Sequence, residues 1–219
     1  MTRLEKKSIT VAAAVILLLL PLTIIRPYGQ QWHHLRFTAE AGERGACIDY
    51  DQSENTITIN CNASFLDVVQ TINDPEILEN LGNGEYILNA NLEVADGVNF
   101  EMTSSGDSLQ YLKITDANGI IVYGKILING VKITSWDISD EDVVSQDMNG
   151  TVPGGYVQFA ASEGSQIINS EFGYLGDVEP GRRGFDLLGG GGPSHDLEIR
   201  GSKFHDMWMA FILMEHTIL

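Results

Sequence analysis

The stretch Ile126-Leu127-Ile128-Asn129-Gly130-Val131-Lys132-Ile133-Thr134-Ser135-Trp136 decides the fold, because its pattern returns twice downstream. Aligned on Ile133, it recurs as Ser165-Gln166-Ile167-Ile168-Asn169-Ser170-Glu171-Phe172 and as Leu197-Glu198-Ile199-Arg200-Gly201-Ser202-Lys203-Phe204. An isoleucine stands five residues before each anchor, at Ile128, Ile167 and Ile199. Gly130, Asn169 and Gly201 stand three before it, and these residue types tolerate a left-handed backbone. Each copy therefore reads as a short strand, a one-residue bend and a second short strand. A coil of that kind, repeated, is a solenoid.

Working outward, a further strand precedes each copy: Ile120 to Gly124, Tyr156 to Ala160 and Gly184 to Leu188, with Trp208 to Ile212 starting another turn. Three short strands per turn, fixed bends and loops of growing length describe a parallel β-helix. Period-two alternation sends Phe159, Phe185 and Leu187 inward and stacks Gln158, Asp186 and Ala210 in one outward column. Upstream, Leu92, Val94, Val98 and Phe100 alternate around an Asp96-Gly97 bend, and Leu109 to Thr115 is another strand. The solenoid is thus expected over residues 84–219. Its last apolar run, through Leu219, has no cap, which predicts a truncated chain or one completed by a partner.

The segment over 62–83 reads as a capping helix. Ser64 with Asp67 makes a capping-box variant, and Phe65, Val68, Val69 and Ile72 line one face. Asp74-Pro75 interrupts it, Ile77, Leu78 and Leu81 continue it, and Gly82-Asn83-Gly84 stops it. Before it, Cys47 and Cys61 flank a predicted hairpin, with Ile48 to Asp51 running out and Thr56 to Asn60 returning. Pairing centred on Glu54 sets Cys47 opposite Cys61, so a cross-strand disulfide is expected in an exported chain. With no further Cys or His nearby, zinc is excluded at this pair.

The N-terminus reads as a targeting segment. Arg3, Lys6 and Lys7 precede an uncharged run from Ser8 to Ile25, and no small-x-small cleavage site follows. Residues 1–26 are therefore expected to be an uncleaved signal anchor with a cytoplasmic N-terminus and an extracytoplasmic body. A tether follows over 27–46, in which His33 and His34 read as solvated. Asn62-Ala63-Ser64 and Asn149-Gly150-Thr151 match the glycosylation tripeptide.

The 219 residues carry a formal charge of -17, and the part after Arg26 holds nine basic against 29 acidic residues. Such a surface repels phosphate backbones and disfavours nucleic acid; it also opposes a polyanionic substrate. Asp137, Asp140, Glu141, Asp142 and Asp147 cluster in the only long polar insertion, between Trp136 and Pro153. Calcium is a possible ligand there, although the EF-hand spacing is absent.

The body resembles the right-handed parallel β-helix proteins that bind or cleave carbohydrate, including mannuronan C5-epimerases and polysaccharide lyases. The resemblance runs from about Gly84 onward. It rests on the coil period and on Gly184-Phe-Asp-Leu-Leu-Gly-Gly-Gly-Gly-Pro-Ser-His-Asp-Leu-Glu-Ile-Arg-Gly-Ser-Lys-Phe-His-Asp206. It implies a substrate groove on the first-strand face, walled by loops. Epimerases and lyases both neutralise a uronate carboxylate, often with Arg or calcium, and then remove the C5 proton with a base. Arg182 or Arg183 is the candidate neutraliser, His195 the base or acid, and Asp186 its orienting group. Gln158, Asp196 and His205 are candidate substrate contacts. Only Pro193-x-His195-Asp196 matches the epimerases' Asp-Pro-His-Asp motif, since Ser194 intervenes and Gly192 replaces the first Asp. A glycosidase would instead pair Asp186 with Asp196.

Each residue also has a structural reading. His195-Asp196 and His205-Asp206 are ordinary turn pairs, and Arg182-Arg183 suit Asp177 or Glu179 as ion-pair partners. Gly189 to Gly192 lack the Lys-Ser/Thr of a phosphate loop. The expected function is a membrane-anchored protein that binds or modifies polysaccharide. The alternative is a non-catalytic envelope or adhesion scaffold.

Overall fold

The computed structural model describes residues 45–115, 117–144, 152–161, 164–187 and 196–213. The first coil contains β1 (Ile48–Asp51), β2 (Thr56–Ile59), β3 (Ala63–Ser64), α1 (Phe65–Ile72), β4 (Leu78–Gly82) and β5 (Glu85–Leu88). The second contains β6 (Asn91–Val94), β7 (Asn99–Thr103) and β8 (Tyr111–Thr115). The third contains β9 (Gly119–Val122), β10 (Lys125–Asn129) and β11 (Lys132–Asp137), with β12 (Asp142–Val143) paired antiparallel to β11. The fourth contains β13 (Tyr156–Phe159), β14 (Gln166–Ile168) and β15 (Glu171–Gly173). The fifth contains β16 (Gly184–Leu187), β17 (Glu198–Arg200) and β18 (Lys203–His205), and β19 (Met209–Leu213) begins a sixth.

These strands stack into three sheets, so the chain is a parallel β-helix. Sheet A runs β1-β2-β6-β9-β13-β16-β19, sheet B runs β17-β14-β10-β7-β3, and sheet C runs β18-β15-β11-β8-β5-β4. The register follows the sequence repeat. Ile128 pairs with Ile167 and Ile167 with Ile199, while Ile133 pairs with Phe172 and Phe172 with Phe204. The bends between them are left-handed as expected, with φ of 72° at Gly130, 48° at Asn169 and 62° at Gly201.

Inward-facing side chains form continuous ladders. Ile57, Leu92, Ile120, Val157 and Phe185 stack down sheet A, and all five are fully buried. Later coils fill the wider interior with rings: Phe172 lies parallel to Phe204 at 5.0 Å, and Phe185 meets both edge-on. Such pairs stabilise beyond their buried area.

Three expectations about the N-terminal region change. The hairpin pairs Ile48 with Ile59 and Asp51 with Thr56, one residue away from the register centred on Glu54. The expected register sets Asp49 opposite Ile59; the observed one sets Ile48 there, with both isoleucines buried. Asn55, at φ 48°, closes the resulting turn. Cys47 consequently faces Asn60, whose N–H donates to its carbonyl at 2.8 Å, yet it still forms the disulfide with Cys61. Furthermore, β2 pairs in parallel with β6, and β3 with β7. The hairpin that the sequence places ahead of the solenoid supplies its first strand.

The predicted helix is real but short. The Ser64 hydroxyl accepts from the Asp67 N–H and the Asp67 carboxylate accepts from the Ser64 N–H, closing the capping box. Phe65 and Val68 are fully buried, with Phe65 edge-on to Tyr86 at 5.0 Å. The helix ends at Asn73, whose left-handed backbone sends its N–H to the Val69 carbonyl. The continuation over Ile77 to Leu81 is instead strand β4, antiparallel to β5. Gly82-Asn83-Gly84, all at positive φ, form a hairpin turn and not a helix stop. Leu78 is buried while Leu81 is exposed, which a common helix face does not produce. The expected anchor at 1–26 lies outside the described residues. Among those described, no helix is long and apolar enough to cross a membrane.

Candidate functional site

Backbone pairing fixes an outward column across sheet A: Thr58, Glu93, Ile121, Gln158 and Asp186 lie side by side on successive strands. Beyond Asp186 the partner is Ile212, because a bulge shifts the register between Gly184 and Asp186; Ala210 is not in the column. Two tyrosines flank it, Tyr123 partly exposed just after β9 and Tyr156 buried at the start of β13.

The loop from Tyr174 to Arg183 folds over one end of this column. Gly176 donates its N–H to the Gly155 carbonyl, and the Asp177 N–H donates to the Arg182 carbonyl. The amide of Gln158 donates to the Gly181 carbonyl at 3.0 Å. Arg182 bonds the buried carboxylate of Asp177 at 2.8 Å, and its guanidinium stands 6.0 Å from the Tyr156 ring centroid. The loop thereby covers Asp186, which is outward-facing yet only 1% exposed. Asp186 Oδ2 accepts the Arg183 N–H at 3.2 Å, whereas Oδ1 is buried with no hydrogen-bond partner among the described residues.

Burial pushes the Asp186 carboxyl above the ordinary carboxylate range. The Arg183 N–H and the Arg183 charge oppose that rise, and the Asp177 charge adds to it. Glu93, in the same column, is also pushed up by burial. The face therefore combines carboxyl groups inclined to hold a proton with guanidinium groups beside them. A carboxyl raised in this way holds its proton to higher pH than a solvated carboxylate does.

Of the residues singled out in the sequence, Arg182, Arg183, Asp186 and Gln158 come together here. His195 lies outside the described residues. Asp196 is exposed, at the approach to sheet B, where its carbonyl accepts the Gly164 N–H. His205 is on sheet C, away from the column. Its ring nitrogens meet Asp206 at 2.7 Å and Glu171 at 3.1 Å, and Tyr174 packs edge-on against it. Burial pushes the Glu171 carboxyl up, but the His205 hydrogen bond and the charges of Lys203 and Lys132 outweigh it and hold it low. His205 so ties two coils together. In the acidic insertion, Asp137 accepts the N–H groups of Ser139 and Asp140, and Asp142 accepts that of Val143. Among the described residues no three His, Cys, Asp or Glu side chains converge on a cation position.

Sequence reading missed Glu93, although it stands at the outward position between Leu92 and Val94. It also gave Asp177 no role beyond ion pairing.

No known protein-family signature matches the sequence, and no curated protein matches it. Solved structures do match the fold. The crystal structure of the periplasmic alginate epimerase AlgG superposes with a TM-score of 0.62 at 19% identity, and a point variant of that protein with a TM-score of 0.61. The match covers 71% of this chain and 38% of that one. At this identity the likeness is one of architecture, and the chain spans well under half the length of the structures it resembles.

Proposed function

We propose that this chain is an extracytoplasmic β-helix protein, held at the membrane by its N-terminal apolar segment, that binds and modifies an acidic polysaccharide along the outer face of sheet A. The observation that carries this reading is the cluster on sheet A, where the buried carboxyl of Asp186, one oxygen of it unpartnered among the described residues, stands beside Arg182 and Arg183. The fold likeness to AlgG, whose name describes a periplasmic alginate epimerase, supports the same substrate class.

In this reading Arg183 neutralises the uronate carboxylate, which acidifies the C5 proton. Asp177 and Tyr156 hold Arg182 in place as a second cation. His195 takes the proton from C5. Water returns a proton to the opposite face in an epimerase, or His195 passes its proton to the departing 4-O oxygen in a lyase, while Asp186, covered by the 174–183 loop, positions Arg183 through the Arg183 N–H. In the epimerase the hydroxide left by that water takes the proton held on His195, and in the lyase His195 ends neutral, so both routes balance. Glu93 and Gln158 bind hydroxyls of neighbouring sugars in the same column.

Purified full-length chain with mannuronan in D2O tests this. Epimerase activity places deuterium at C5 and inverts it; lyase activity produces an absorbing unsaturated end. Arg183→Ala and His195→Ala each lower the rate about a hundredfold or more. Binding without turnover, unaffected by either substitution, supports a non-catalytic scaffold instead.

A further inference from the structure

Sheet B presents a second outward face, separate from the column of sheet A. A groove of about 540 Å³ crosses it, formed by the first four coils. Asn62 contributes from the first coil, Asn99 and Glu101 from the second, Lys125 and Leu127 from the third, and Gln166 from the fourth. Neighbouring strands lie about 4.8 Å apart, so four of them give a track roughly 14 Å long.

The side chains on this track are of hydroxyl-reading types. Asn62 accepts from the Asn99 backbone N–H at 2.9 Å through Oδ1, which orients its amide and leaves the NH2 group as donor. Gln166 donates to Glu198 at 2.8 Å, which fixes its amide and leaves the carbonyl oxygen as acceptor. Glu101 and Lys125 are exposed, and among the described residues neither side chain engages in a hydrogen bond or an ion pair. Leu127, half-buried and paired with Glu101 on one side and Gln166 on the other, supplies an apolar floor. Alternating donors, acceptors and apolar surface on a rigid sheet suit a ring with hydroxyls at its edge and C–H groups on its face.

Charge selects among such ligands. Asp67 and Glu101 line the groove against Lys125, the single cation lining it among the described residues, and Glu198 stands at its far end.

We propose that this groove binds a neutral oligosaccharide. Glu101 accepts from a pair of adjacent hydroxyls, Lys125 donates to a hydroxyl or ring oxygen, and the amides of Asn62 and Gln166 read the flanking sugars. The site is independent of the reading given to sheet A. It gives the chain a hold on an uncharged glycan while the opposite chemistry operates on another face.

Binding of cellohexaose and of chitohexaose to the full-length chain, followed by calorimetry, tests this, with a mannuronate hexamer as the anionic comparison. At least one neutral hexamer binds, and Glu101→Gln and Lys125→Met each weaken it about tenfold, the worth of one hydrogen bond to a charged group. Both positions are exposed, so an unchanged thermal transition confirms that each variant remains folded. Mannuronate binding, where present, is unaffected by Glu101→Gln. The proposal is overturned if neither neutral hexamer binds. It is equally overturned if neutral binding is unchanged in both variants.

Discussion

Asp186 is the most deeply buried carboxyl of the sheet A column. Its carboxyl is raised by burial, so the folded chain holds that proton to higher pH than the unfolded chain does. The stability this contributes is complete below the ordinary carboxylate value of about 4 and is lost as pH rises through the raised value. Asp186→Asn, of the same shape but without the titration, is therefore expected to gain stability relative to the parent as pH climbs from about 4 toward neutrality. Urea denaturation of both proteins at a series of pH values measures the gap. Curves that stay parallel across the range contradict the assignment. Asp177 gives a second prediction at this scale. Its carboxylate is buried against Arg182 and also accepts the Glu179 N–H at 2.8 Å. Asp177→Ala strands a half-buried guanidinium and is expected to cost about 2 kcal/mol. Asp177→Asn, which keeps a hydrogen-bond acceptor, costs less.

At the scale of the element, the bend between β10 and β11 carries the fold. Gly130 sits at φ 72°, and a β-carbon there would collide with the Ser104 hydroxyl. Gly130→Ala is expected to cost about 1–2 kcal/mol through the left-handed backbone alone. Asn169→Gly, at the equivalent bend of the next coil, is expected to change stability by only a few tenths of a kcal/mol. Thermal unfolding of the two variants separates a requirement for the left-handed bend from a requirement for the particular side chain. These bends were legible in the sequence because three copies shared one backbone demand. The strand β4 was not, since Ile77, Leu78 and Leu81 fit a helical spacing over too few residues to exclude a strand. Glycine and asparagine at 82–84 suit a helix stop and a hairpin turn alike, and only the pairing of β4 with β5 separates the two. The hairpin register slipped for a related reason: the matched cysteines suggested direct opposition, whereas burial of Ile48 beside Ile59 set the pairing.

At the scale of the whole molecule, the solenoid is closed at its beginning by a covalent loop. The Cys47–Cys61 disulfide spans 14 residues and secures the hairpin whose return strand starts sheet A. Replacing both cysteines by serine is expected to lower stability by about 3 kcal/mol, the loop-closure term for a loop of that size. Denaturation of parent and variant, with and without reductant, checks it, and reductant should leave the variant unaffected. The stacking of coils was readable from periodicity, because every strand must present the same face to one core. The candidate site was readable only in part. Alternation gave Gln158 and Asp186 their common column, but no linear pattern revealed that the 174–183 loop would cover it. His205 is close to Asp186 in sequence, yet one coil has three faces, and β18 belongs to another of them.

The central claim, that the sheet A face modifies an acidic polysaccharide, is tested most directly by deuterium incorporation at C5 of mannuronan in D2O. The account predicts measurable incorporation by the parent chain and its near-complete loss in Arg183→Ala. Absence of incorporation in the parent, or equal incorporation in parent and variant, contradicts it.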